Sequence, residues 1–179
     1  MSDQNHLRGD AAPWEQLLDP WRPLPAVVID RRLNVLAATD VAQSLSGAFQ
    51  IGANMARFTF LSADSQPAHP SWREAASATA GLLRSFVDEH DGDRASQRIL
   101  GELAAESRDF SEMWADPNTR MPTTGPIVFE GTPAGTVTCT YSVLGVSGQD
   151  DCAVLVFVPS DAAGREAVER LAASSSVSN

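Results

Sequence analysis

Three histidines (His6, His69, His90) and two cysteines (Cys139, Cys152) are the side chains best suited to metal ligation or nucleophilic chemistry in this 179-residue chain. The histidines are too scattered for their spacing to define a ligand set. The acidic string Asp88-Glu89-His90-Asp91-Gly92-Asp93 has the composition of a calcium loop. With Gly92 as the loop glycine, however, the first ligand position falls on Val87 and the twelfth on Arg98, so the string reads as a solvated helix break. Gly145-Val146-Ser147-Gly148 approaches a nucleophile elbow but lacks its last glycine and lies in a hairpin loop. Neither a Walker-type phosphate loop nor a dinucleotide G-x-G-x-x-G is present. The cysteines fall on neighbouring strands of one hairpin, several residues out of register. A disulfide needs Cα atoms about 4.4–6.8 Å apart, so both read as reduced core residues. No catalytic residue, metal or cofactor is expected, and the chain does not read as an enzyme.

What remains is a set of large apolar side chains: Trp72, Phe86, Phe110, Trp114, Phe129, Tyr141 and Phe157. Composition alone does not say whether they fill a core or wall a pocket. Charge narrows the partners. Thirteen basic residues, all arginine, stand against twenty-three acidic ones, a net charge of −10. That balance repels phosphate backbones, so direct DNA binding by this chain is not expected. The longest apolar run, Ala153 to Pro159, is far short of the roughly 20 residues that span a bilayer. Met1 to Asp10 carries no signal peptide, and a cytoplasmic protein without membrane contact is expected.

The elements that must position these side chains follow from periodicity. Residues 1–12 and 174–179 read as disordered tails around one domain over 13–173. Trp14, Leu17, Leu18 and Trp21 recur at helical spacing before Pro23 and Pro25. Ala26–Asp30 and Leu33–Ala37 read as two strands joined by a polar turn. From about Thr39 to Trp114 the pattern is helical, with caps expected at Thr39 or Asp40, at Ser71 (a capping box with Glu74) and at Ser107. Strands follow near 126–131, 135–146 and 152–158. In the second, Val137, Cys139, Tyr141 and Val143 alternate with Thr136, Thr138, Thr140 and Ser142, one buried face and one polar. The third is apolar on both faces, as a central strand would be. A last helix carries Ala167, Val168 and Leu171, with Ser160 as its expected cap. Neither set of strands can bury its apolar face alone, so both must share one sheet. The expected fold is α+β, a PAS-like five-stranded antiparallel sheet with helices packed on one face.

Several segments carry a resemblance. They are Leu24-Pro25-Ala26 through Asp30-Arg31-Arg32 to Ala37, and Asn54-Met55-Ala56-Arg57-Phe58 with Trp72 after it. Ser107-x-x-Phe110-x-x-x-Trp114 and Gly135-Thr136-Val137-x-x-x-Tyr141-x-Val143-Leu144 complete the set. In this order they resemble the MmyB-like transcription-regulator ligand-binding domains from about Pro13 to Ala173. The resemblance implies a PAS-like sensor that follows a helix-turn-helix and holds a fatty-acid-like or other apolar ligand. About two dozen residues precede the first strand, too few for that DNA-reading module. Gene regulation would then need a partner regulator that carries this module, and a homodimer is the other partner expected. The family's Trp-Asn after the second strand and its Arg-His-Asp string are replaced here by Ala38-Thr39 and Asp116-Pro117-Asn118.

The expected site lies between sheet and helices. Leu36, Phe129 and Tyr141 are its sheet residues, with the Tyr141 hydroxyl available to a polar head group. Trp72, Phe110 and Trp114 are its helix residues, and Arg57 is the cation expected to pair with a ligand carboxylate. The alternative is a ligand-free PAS-type dimerisation or protein-interaction module.

Overall fold

The computed structural model describes residues 11–65, 71–89, 93–120 and 123–176. The three histidines, the Asp91-Gly92 break and residues 1–10 and 177–179 of the expected tails lie outside them. Helix α1 (Ala11–Leu18) and a 3₁₀ turn lead into β1 (Ala26–Asp30) and β2 (Val35–Ala38). Then come α2 (Asp40–Leu45), a 3₁₀ turn at Gly47–Phe49, α3 (Met55–Leu61), a 3₁₀ turn at Ala63–Ser65, α4 (Trp72–Glu89), α5 (Arg94–Glu106) and α6 (Arg108–Ala115). Strands β3 (Thr124–Thr132), β4 (Gly135–Val146) and β5 (Gln149–Pro159) and helix α7 (Ala162–Ser176) complete the chain. Helix α1 begins two residues before, and α7 ends three residues after, the domain limits expected at 13 and 173.

All five strands form one antiparallel sheet in the order β2-β1-β5-β4-β3. The strand that is apolar on both faces, β5, is the central one. Its Leu155 and Phe157 join Val27, Ile29, Val137, Cys139 and Tyr141 under the helices. Its Val154 and Val156 join Ala26 and Val28 on the other face. The helices between residues 39 and 115 pack over the first face, and α7 sets Ala167, Val168 and Leu171 there too. Helix α1 takes the second face, docking Leu18, Trp14 and Leu17 onto β2 and β1. An eight-residue helix is not stable by itself, so this apolar contact is what holds it.

The caps follow local chemistry, with one departure from expectation, at α7. Thr39 and Ser107 accept from the amides of Ala42 and Phe110, as anticipated. Ser71, the residue before α4, donates its hydroxyl to Glu130 Oε2 at 2.5 Å. At α7 the cap is Asp161, whose carboxylate accepts from Gly164 N at 2.6 Å, while Ser160 pairs with Thr140. Cys139 and Cys152 are both free and buried. Burial pushes the Cys139 thiol up to about 11.

The β1–β2 turn is held by side chains. The Asp30 carboxylate accepts from Arg32 N, Asn34 N and Asn34 Nδ2 at 2.8–2.9 Å. Asn54 caps α3 through its Oδ1 and donates its Nδ2 to Arg32 O and Asn34 Oδ1. Leu33 between them has a left-handed backbone (φ 64°) yet is fully buried. The Asp-Arg-Arg and Asn54 elements are thus a structural tie between the hairpin and α3.

Candidate functional site

A cavity of about 350 Å³ opens between the sheet and the helices, at the lower end of the roughly 300–1,000 Å³ typical of small-molecule pockets. Its floor is the inward phase of the sheet: Ile127 and Phe129 of β3, Tyr141 of β4, Leu155 and Phe157 of β5. Its roof comes from Leu45 of α2, Met55 and Phe58 of α3, and the face of α4 from Trp72 to Leu82. Phe49, in the 3₁₀ turn, packs within 5.1–5.7 Å of the Phe129 and Phe157 ring centres, closing an aromatic triad. A Cβ at Gly47 would lie 2.6 Å from the Phe58 ring and would force that ring to shift.

Three of the seven sequence-expected residues, Trp72, Phe129 and Tyr141, meet in this wall. Trp72 is oriented by donating its indole N–H to Thr59 O at 3.2 Å. Tyr141 is 4% exposed, and its hydroxyl has no hydrogen-bond partner among the described residues. Burial raises its pKa, so it stays a neutral donor.

Phe110 and Trp114 pack behind the cavity. Phe110 is fully buried, 5.1 Å from Phe60, which in turn stands 6.1 Å from Trp72. Trp114 stacks on Phe110 at 5.4 Å under the Arg84 guanidinium. Arg84 also donates to the carbonyls of Trp114, Asp116 and Thr119, tying α4 to the end of α6. Leu36 lies on the opposite sheet face, with the α1 cluster. The cause is a bulge: Val28 pairs with Ala37 but Ile29 with Val35, which leaves Leu36 as the extra residue and breaks the alternation. Arg57 is engaged elsewhere, gripping Glu102 through Nε and Nη2 at 2.8 and 2.6 Å, and is not in the cavity wall.

Six lining polar residues escape a reading of the sequence as site residues: Ser46, Thr59, Thr79, Asp64, Ser71 and Glu130. Ser71 has the signature of a helix cap. Glu130 belongs by alternation to the outer face of β3, but the strand is irregular after Phe129 and Gly131 has a positive φ of 68°. That irregularity brings Glu130 to Ser71 at the start of α4. The glycine at 131 was the available signal. Among the described residues no group of three or more His, Cys, Asp or Glu is placed to hold a metal ion.

A five-stranded antiparallel sheet whose helix-covered face lines a largely apolar cavity has the architecture of a small-molecule-binding domain. The chain matches the MmyB-like transcription regulator ligand binding domain over residues 12–171, and it belongs to that family. The comparison with curated proteins gave no match. No helix among the described residues is long and apolar enough to cross a membrane.

Proposed function

We propose that this chain is the non-enzymatic sensing domain of a cytoplasmic transcription regulator, and that it binds an elongated apolar molecule in the cavity beneath α4. The observation that carries this reading is the aromatic wall of Trp72, Phe129, Tyr141 and Phe157 in a ligand-binding-domain family. Burial of an alkyl or ring system there would yield roughly 25 cal/mol per Å² of apolar surface removed from water. Helices α2, α3 and α4 contribute to the wall, so occupancy would favour one arrangement of the roof over others. With a net charge of −10, contact with the operator would fall to a separate DNA-reading module.

A second reading, ligand-free pairing of sheets, draws on Val158 and Leu144, which are 45% and 38% exposed. Native mass spectrometry of the purified chain separates the two: a co-purifying apolar molecule supports the sensor, an empty dimer the pairing module. Thermal unfolding against a panel of fatty acids and other apolar metabolites should show at least one that raises Tm. No stabilisation across the panel would sink the sensor reading. Fluorescence anisotropy should show no tight, salt-sensitive binding of duplex DNA by this chain alone.

A further inference from the structure

Of the four tryptophans, one tyrosine and seven phenylalanines in the chain, six line the one cavity beneath α4. Phe49, Phe58, Trp72, Phe129, Tyr141 and Phe157 each come from a different element: the Gly47–Phe49 turn, α3, α4, β3, β4 and β5. Burial alone does not call for rings. On the other face of the same sheet the strands bury Val28, Val154 and Val156 and no aromatic side chain.

Each of the six rings is also held in place. Phe49, Phe129 and Phe157 lock one another at 5.1–5.7 Å between ring centres, two of the three contacts edge-on. Trp72 is pinned by its indole N–H on Thr59 O at 3.2 Å and meets Phe60 edge-on. Phe58 and Tyr141 are seated against main chain that carries no side chain. A Cβ at Gly47 would lie 2.6 Å from the Phe58 ring, and one at Gly125 would lie 3.0 Å from the Tyr141 ring.

A wall of restrained rings selects by shape. A flexible alkyl chain surrenders rotational freedom on entering, whereas a planar ring system has none to lose. Aromatic walls also attract another ring, in offset or edge-on contact, beyond what area burial supplies. We propose that the cavity's ligand is a flat, fused-ring molecule, with these six side chains as its specificity-determining wall, rather than an alkyl chain such as a fatty acid. This rests on the reading of the cavity as an apolar-ligand site and names the class of ligand.

Calorimetry with the full chain tests this with three neutral ten-carbon alcohols: 2-naphthol, its puckered, saturated counterpart decahydro-2-naphthol, and 1-decanol. Carbon number and the single hydroxyl are constant, and the saturated probes carry more apolar surface, so simple transfer from water favours them. 2-Naphthol should nonetheless bind at least tenfold more tightly than either, a difference of about 1.4 kcal/mol. Phe58→Leu and Trp72→Leu each remove one ring at a half-buried position and keep an apolar side chain there. Each should shrink the ratio of 2-naphthol to 1-decanol affinity at least threefold. Trp114→Leu removes a ring outside the wall and should leave that ratio unchanged. If one wall variant does not fold, the other decides. Either saturated probe binding as tightly as 2-naphthol would overturn the fused-ring assignment and leave the apolar-ligand reading standing. A ratio unmoved by the wall variants, or moved as much by Trp114→Leu, would overturn the role of the six rings. Binding of none of the three would overturn both readings together.

Discussion

The Tyr141 ring lies across the backbone of Gly125, its cross-strand partner, so closely that a Cβ at position 125 would sit 2.8 Å from the hydroxyl oxygen and 3.0 Å from the ring carbon bearing it. Tyr141 is buried on the helix side of the sheet, and to make room its ring would have to turn toward the cavity it lines. Gly125→Ala is therefore expected to destabilise the domain by about 1–3 kcal/mol, as overpacking does. Tyr141→Phe alone should leave Tm unchanged or raise it, because the hydroxyl it removes is unpartnered. The double variant should recover part of the Gly125→Ala loss but not all, since the ring carbon stays close. Urea unfolding of the four proteins checks the order.

Leu33 sets two effects against each other. Its fully buried side chain argues that Leu33→Ala costs about 2–5 kcal/mol. Its positive φ adds about 1–2 kcal/mol of strain for any residue with a Cβ, alanine included. Leu33→Gly loses the same packing but escapes the strain. The glycine variant should thus be the more stable of the two, by about 1 kcal/mol, the reverse of the order in an ordinary helix or strand. Equal or inverted stabilities in chemical unfolding would show that the turn carries no strain.

These two sites show how far the sequence can be read. The alternation of Val137, Cys139 and Tyr141 against threonine and serine placed Tyr141 under the helices, because a half-buried strand has a strict period of two. The same logic failed at Leu36 and Glu130, where a bulge resets the phase and periodicity carries no warning. The stripe Phe110–Trp114 was legible as buried, but not as a layer behind the cavity rather than its wall. That depends on how α6 packs against α4, which no local pattern encodes. Arg57 had the right charge for a ligand carboxylate, yet its partner stands 45 residues away on α5.

The Arg57–Glu102 pair has its own consequence. Its hydrogen bonds to Arg57 hold the Glu102 carboxyl below its ordinary range, and the pair raises Arg57 in turn. A depressed carboxyl stabilises the fold above its unfolded pKa, and that contribution is lost as pH falls through the lowered folded value. The side chains are 46% and 29% exposed, so screening limits the effect to under about 1 kcal/mol. Arg57→Ala should lower Tm slightly at pH 7 and not at a pH acid enough to protonate Glu102. It should leave ligand affinity unchanged, and a large loss of affinity would return Arg57 to the site.

Cys139 gives a prediction at the alkaline end. The folded state keeps its thiol protonated to about 11, against an ordinary 9.0. A raised acid contributes stability that is complete below the unfolded pKa and disappears as pH rises through the folded one. Stability should fall from about pH 9 toward 11, and Cys139→Ser should flatten that part of the profile. In native buffer near pH 8 a thiol reagent should leave Cys139 unmodified until denaturant is added, because the side chain is fully buried. Rapid labelling without denaturant would contradict the packing of β4 against α7.

Two tryptophans divide the roles of core and cavity. Trp72 lines the cavity, is half-buried and fixes its indole on Thr59. Trp114 stacks on Phe110 and under Arg84, outside the wall. Large aromatic truncations in a core cost about 3–5 kcal/mol, and Trp114, partly exposed, should fall near the lower figure. Its loss should leave affinity for an apolar ligand within twofold of the parent. Trp72→Ala should do the opposite, costing less stability in the empty protein and at least tenfold in affinity, because its ring faces a space that is open until the ligand fills it. Thermal unfolding with and without the best-binding probe yields both numbers for each variant. If Trp114→Ala weakened binding as much as Trp72→Ala, the occupied volume would extend past Phe60 toward α6, and the cavity as drawn between α4 and β3 would be only part of the site.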